Sequence, residues 1–158
     1  MKKSIYPLLL SLLILSVSSC KKDEDSVPNS PDKMALLQNK NWMVTSLIMN
    51  NATDTIDIYQ DYWTPCERDN YYRFNADHSF LFDEGATMCR SWDEQTISGQ
   101  WDYDLPTNKL HFQLVSSATI SDHYYFTIQD ISENALTLIG KDTVGTEIWT
   151  DTWHLIKQ

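Results

Sequence analysis

The sequence predicts an all-β fold: an eight-stranded antiparallel up-and-down barrel behind a short N-terminal helix, with a two-sheet β-sandwich as the alternative. Three observations predict it. Apolar and polar residues alternate with a period of two in eight segments between residues 41 and 157, the pattern of half-buried strands. Most connections between these segments are short, which makes sequential strands antiparallel neighbours. The chain also carries six Trp, eight Tyr and five Phe against four Gly, a load of planar side chains that favours strands over helices. Eight strands with one apolar face lose their unpaired edges by closing into a barrel.

Each element has its own warrant. Ser30-Pro31-Asp32 opens a short helix with a capping serine, a proline at the first helical position and an acid. Met34, Leu36 and Leu37 give that helix an apolar side. Asn41–Ile48 sets Trp42, Val44, Ser46 and Ile48 on one strand face. Residues 49–65, with Asn50, Asn51 and scattered aspartates, read as a long loop. Tyr71–Phe74 and Ser79–Phe82 form a hairpin about Asn75-Ala76-Asp77-His78, because Asn and Asp accept turn dihedrals. Thr96–Asp104 alternates through Ile97, Gly99, Trp101 and Tyr103, and Lys109–Val115 through Leu110, Phe112 and Leu114. Asp122–Asp130 alternates through Tyr124, Phe126 and Ile128, and Ala135–Lys141 sets Leu136 beside Leu138. Glu147–Lys157 is the last strand, with Trp149, Asp151, Trp153 and Leu155 on one face.

Cys66 and Cys89 lie almost symmetrically about the 75–78 turn, so the hairpin folds them together at its open end. A disulfide there is geometrically sensible. The alternative, a thiol metal or redox site, goes with a CxxC spacing that this pair lacks.

The first twenty residues address the chain. Met1-Lys2-Lys3 is a positive start, Ile5–Ser16 a leucine-rich apolar run, and Val17-Ser18-Ser19-Cys20 a set of small residues before a cysteine. The run is too short for a spanning helix, which needs roughly 20 residues, and has the flanks of a secretory signal. Small residues directly before Cys20 resemble the lipobox of bacterial lipoproteins, which implies cleavage after residue 19 and a multiply acylated Cys20 that anchors the chain to a membrane. Lys21-Lys22-Asp23-Glu24-Asp25 and the polar, proline-bearing stretch after it read as a disordered tether over residues 20–32. The domain is then 33–158.

The charge excludes some partners. Twelve basic residues face 22 acidic ones, and loss of Lys2 and Lys3 with the signal leaves a net charge of −12. Nucleic-acid binding needs a basic face, and a lipid-surface role needs a polybasic one. The acidity suits a soluble monomer outside the cell.

In combination, these features resemble the lipocalin-like lipoproteins of Bacteroidota, small calycin-type barrels. The residues that carry the resemblance are Leu36-Leu37 leading into Trp42, and Cys66 followed by Asp69-Asn70-Tyr71-Tyr72-Arg73-Phe74-Asn75-Ala76-Asp77. Ser79-Phe80, Gly85, Cys89, Gly99-Gln100-Trp101 and the terminal Lys157 complete it, over roughly residues 33–158. The glycine that lipocalins place before the first-strand tryptophan is missing, since Lys40-Asn41-Trp42 stands there. The resemblance implies that Lys157 covers Trp42 through a cation–π contact. The lysine and acids after Cys20 look like the surface-export signal of these lipoproteins, which implies an outer-membrane protein facing the exterior, the alternative being one facing the periplasm.

A barrel of this size either holds one small ligand or is filled by its own side chains. The expected inward set is Trp42, Tyr72, Phe74, Phe80, Phe82, Trp101, Tyr103, Phe112, Tyr124, Phe126 and Trp153. The candidate ligand-binding residues are Trp101, Tyr103, Tyr124, Phe126, Asp151 and Trp153. Asp151 between Trp149 and Trp153 is either a ligand anchor or a sign that the strand is turned over, with Thr150, Thr152 and His154 inward. Aromatic rings near carboxylates suit a small apolar or glycan-like ligand. No GxSxG, HExxH or glycine-rich phosphate loop is present, and no metal spacing relates His78, His111, His123 and His154. The expectation is a non-enzymatic binding barrel with no metal and no cofactor. The alternative is a filled barrel that recognises a surface protein through residues 49–65 and 86–95, where Tyr59, Tyr62, Trp63 and Trp92 lie.

Overall fold

The computed structural model describes residues 32–117 and 120–158, and the side-chain surroundings of 32–115 and 122–158. The expected signal peptide, Cys20 and nearly all of the tether lie outside the described residues. In chain order the elements are α1 (Lys33–Leu37), β1 (Asn41–Asn50), β2 (Thr55–Asp57), α2 (Ile58–Asp61), β3 (Tyr71–Phe74), β4 (Ser79–Asp83), β5 (Thr96–Asp104), β6 (Lys109–Ser117), β7 (Ile120–Ile131), β8 (Ala135–Val144) and β9 (Glu147–Lys157). From β3 to β9 each strand pairs antiparallel with the next, β1 pairs with β3, and β9 returns to β1. The result is a closed eight-stranded antiparallel barrel of lipocalin-like architecture, as the alternation predicts, and not a sandwich. The eleven residues expected to face inward all lie in the core or pack against it.

Three local expectations are corrected. The helix cap is Asp32, whose carboxylate accepts from the Met34 N–H at 3.0 Å. The cap position is thus Asp32, and the expected Ser30 lies outside the described residues. The expected loop 49–65 contains β2, a three-residue strand on the edge of β1, and the single turn α2, capped by Asp57. Periodicity cannot register elements this short. Finally, the β1–β9 register shifts between Val44 and Ser46, a bulge that moves one residue out of step. Trp42 and Val44 face inward as expected, but beyond the bulge Leu47 is the buried residue, in place of Ser46 and Ile48.

The two ends of the barrel differ. One carries the tight turns at 75–78, 105–108 and 132–134 and is closed by α1. There Trp42 is fully buried and its Nε1 donates to the Leu37 carbonyl at 2.9 Å. Lys33 Nζ donates to Asn108 Oδ1 at 2.9 Å, tying α1 to the β5–β6 turn. Lys40, not Lys157, sits over the Trp42 ring, 5.8 Å from its centre. Lys157 is turned to Glu133 at 3.2 Å, and Glu133 also holds Lys40 at 3.0 Å. Lys40 wins the place because it precedes Trp42 by two residues on the chain that plugs this end.

The other end carries the long connections. The Cys66–Cys89 disulfide forms there, with Cα atoms 5.2 Å apart, and joins the 62–70 and 84–95 segments. Asn70 is buried, and its amide nitrogen, oriented toward them, donates to the Cys66 and Glu84 carbonyls at 3.0 and 2.9 Å. Gly85 adopts a φ of +72°, and a side chain there would run into the Asp69 carbonyl, so this close approach needs glycine. Among the described residues β7 pairs with β8 only between Phe126 and Ile131, whereas β8 and β9 pair along their full lengths. The wall therefore splits at this end, between the start of β7 and the end of β8.

Candidate functional site

A cavity of about 230 Å³ enters the barrel from the disulfide end. Its walls follow from strand alternation: Tyr72, Phe82, Phe112 and Leu114, Tyr124, and Trp153 are inward residues of β3, β4, β6, β7 and β9. The loop after α2 adds Trp63, Glu67 and Asn70. The rings meet edge to face, with Trp63 and Trp153 centres 6.3 Å apart at 83°, and Tyr72 and Trp153 5.9 Å apart at 75°. Below them Phe112 stacks on Tyr124 and Phe80, the start of the filled core. Burial, and then the charges of Tyr124 and Glu67, push the Tyr72 hydroxyl upward in pKa, so it stays a neutral donor.

The split between β7 and β8 forms a second opening of about 390 Å³ that shares Tyr124 and Trp153 with the cavity. Asp151, Gly140, Leu47 and Phe126 belong to its lining. Asp151 shares its strand face with Trp153 and buried Leu155, while His154 is exposed. The face of β9 is thus the one read from alternation. Gly140 lies opposite Asp151, and a Cβ there would come within 2.3 Å of Asp151 Oδ2. The missing side chain is what leaves room for the carboxylate. Trp153 Nε1 donates to Asp151 Oδ2 at 3.2 Å. Partial burial is the largest influence on the Asp151 carboxyl and raises its pKa, with the charge of Asp142 adding to the rise.

The six residues expected to bind ligand therefore divide. Tyr124 and Trp153 line the cavity, and Phe126 and Asp151 join them at the lateral opening. Trp101 and Tyr103 lie elsewhere, buried near the closed end. Trp101 packs edge-on against Phe74 and donates to the Asn75 carbonyl at 2.9 Å. The Tyr103 hydroxyl donates to Asn108 in the β5–β6 turn. Alternation told which side of the sheet they face, but not how far along the barrel axis they stand. Trp63, Glu67 and Asn70 are absent from that set because they come from an irregular segment. The one sequence signal for them is an aromatic pair, Tyr62-Trp63, just before Cys66.

The histidines stand outside the 230 Å³ cavity, although His123 borders the lateral opening. His78, in the β3–β4 turn, stacks on Trp101, with ring centres 5.2 Å apart. On the outer face, His111 Nε2 and His123 Nδ1 share a hydrogen bond at 3.0 Å, and Tyr125 stacks on His111. Burial first, and His123 second, lower the His111 pKa. Among the described residues no three His, Cys, Asp or Glu side chains converge to hold a metal, and no helix is long and apolar enough to cross a membrane. In comparisons with known proteins, no family model, no curated protein and no solved structure matches the chain.

Proposed function

We propose that this chain is a lipid-anchored barrel of the cell envelope that binds one small, largely apolar ligand at its open end. The observation that carries the reading is the contrast within one barrel: a cavity of about 230 Å³ walled by aromatic rings at one end, and fully buried Trp42, Leu37 and Leu110 at the other. An engineered cavity of roughly 150 Å³ takes up benzene, so the volume admits a compact molecule. Asn70, Glu67 and the tyrosine hydroxyls are the few polar groups that orient a ligand in such sites. A glycan-like ligand is the second chemistry compatible with rings beside carboxylates. Native mass spectrometry of the chain, purified in detergent from its own envelope, tests the reading. A co-purifying small molecule supports it, and a bare mass after gentle extraction counts against it.

The anchoring rests on the small residues before Cys20 and on the resemblance to lipocalin-like lipoproteins of Bacteroidota, whose export signal favours the outer surface. Cys20→Ala should move the protein to the soluble fraction, and persistent membrane association would refute lipidation.

A second reading, a partner-binding barrel, is favoured by one observation. Tyr62 and Trp92, on the segments that rim the open end, are 66% and 77% exposed. Cross-linking from these two positions to a single surface protein would support it.

A further inference from the structure

The open-end cavity has a charge as well as a shape. Among the described residues its lining holds one ionisable carboxylate, Glu67, and no Lys, Arg or His. Where the cavity meets the lateral opening, Asp151 and Asp142 join the lining. Asp151 faces inward from β9, and Asp142 lies on the Leu136–Leu138–Gly140 face of β8. The two basic side chains there, Lys141 and His123, are exposed and occupy the outward alternation of their strands. The inward alternation therefore presents the partly buried Asp151 carboxylate beside ring faces, with Asp142 exposed at the rim on the same side of the sheet.

Ring faces carry negative electrostatic potential and attract cations, most strongly when water is excluded. An anion brought to the same place is set beside the Glu67 and Asp151 carboxylates, a like-charge approach that is costly where water is excluded. Net charge points the same way: the whole chain stands at −10, which concentrates cations around it. Trp63, Tyr72 and Trp153 line the same cavity, and Trp153 stands at a steep angle to each of the other two rings, the mutual inclination by which aromatic cages turn ring faces to an ammonium group.

We propose that the cavity selects an organic cation: a compact molecule with an amine or quaternary ammonium group among Trp63, Tyr72 and Trp153, held by Glu67 and Asp151. Its apolar body lies against Phe82, Phe112 and Tyr124. The proposal rests on the ligand-binding reading above and narrows it, since it excludes fatty-acid anions, which an apolar barrel alone would accept. The depth of Asp151 supports it: a carboxylate that burial discourages from ionising gains a counter-charge when a cation arrives.

Three probes with one naphthyl body test it, carrying a trimethylammonium group, a carboxylate or a hydroxyl. Each is titrated into the full chain in detergent, followed by tryptophan fluorescence and calorimetry. The ammonium probe should bind at least tenfold tighter than the carboxylate probe. Glu67→Gln and Asp151→Asn should each weaken the ammonium probe several-fold, and by a clearly larger factor than they weaken the hydroxyl probe. Equal or tighter binding of the carboxylate probe overturns the charge selection while the cavity stands. So does an ammonium affinity indifferent to both variants. Failure of all three probes overturns the ligand-binding reading itself, and the charge selection with it.

Discussion

The two ends of this barrel are built from the same strands and the same residue types, yet one is filled and the other hollow. At the closed end Trp42, Phe74, Leu110, Ile128 and Leu136 are almost wholly buried. At the open end Trp63, Tyr72, Phe82, Tyr124 and Trp153 are only partly buried and border a cavity. The difference does not lie in apolar content. It lies in what crosses each end. The closed end has tight turns and the α1 plug, whose Leu37 carbonyl takes the Trp42 indole proton. The open end has long segments joined to each other by a disulfide, and a wall that parts between β7 and β8. Side chains fill a barrel where the chain closes over them, and line it where the chain does not.

This contrast can be broken by measurement, and the largest effect belongs to Trp42. Trp42→Ala should lower unfolding free energy by about 3–5 kcal/mol, the usual cost of deleting a large buried aromatic. Trp153→Ala should cost clearly less, on the order of 1–2 kcal/mol. Denaturant midpoints compare them, and equal losses would mean that the open end is packed core after all.

The disulfide comes next. Its 23-residue separation predicts a loss of about 3 kcal/mol for Cys66→Ser with Cys89→Ser. Hydrogen exchange should localise the added opening to residues 62–70 and 84–95. Uniform loss of protection across the closed-end strands would show that the ends are not independent.

Lys40→Met should cost about 1 kcal/mol or less, because it removes a cation–π contact and one arm of a surface ion pair. Lys157→Met should cost less still, since Lys157 only meets exposed Glu133. The reverse order in thermal melts would restore Lys157 as the cover of Trp42.

The smallest effect is at Asp151. Burial raises the folded-state pKa of this carboxyl, so the folded chain keeps the proton to higher pH than the unfolded chain does. Its charge therefore costs stability as pH rises through the folded-state value. The group is only partly buried, and solvent screens the effect. Asp151→Asn should stabilise the ligand-free protein by at most about 1 kcal/mol at pH 8. The gain should vanish below about pH 4, where the carboxyl is protonated in both states. A gain that is constant with pH would mean that the carboxylate is not buried by the open end.

Alternation, read one strand at a time, determined the eight barrel strands and which side of the sheet each aromatic faces, and the short connections set their antiparallel order. That is local information, because a period of two is set by the backbone of each strand. The disulfide was legible as well, since the 75–78 turn lies midway between Cys66 and Cys89. Position along the barrel axis was decided only by the tertiary structure. Trp101 and Trp153 read alike in sequence, but register puts one beneath the closed end and the other in the cavity. The same holds for the bulge that turns Leu47 inward, for the choice of Lys40 over Lys157, and for Trp63, Glu67 and Asn70 at the cavity mouth. Each depends on contacts between segments far apart in the chain. No local pattern encodes them, because a side chain's depth is fixed by its partners and not by its neighbours in sequence.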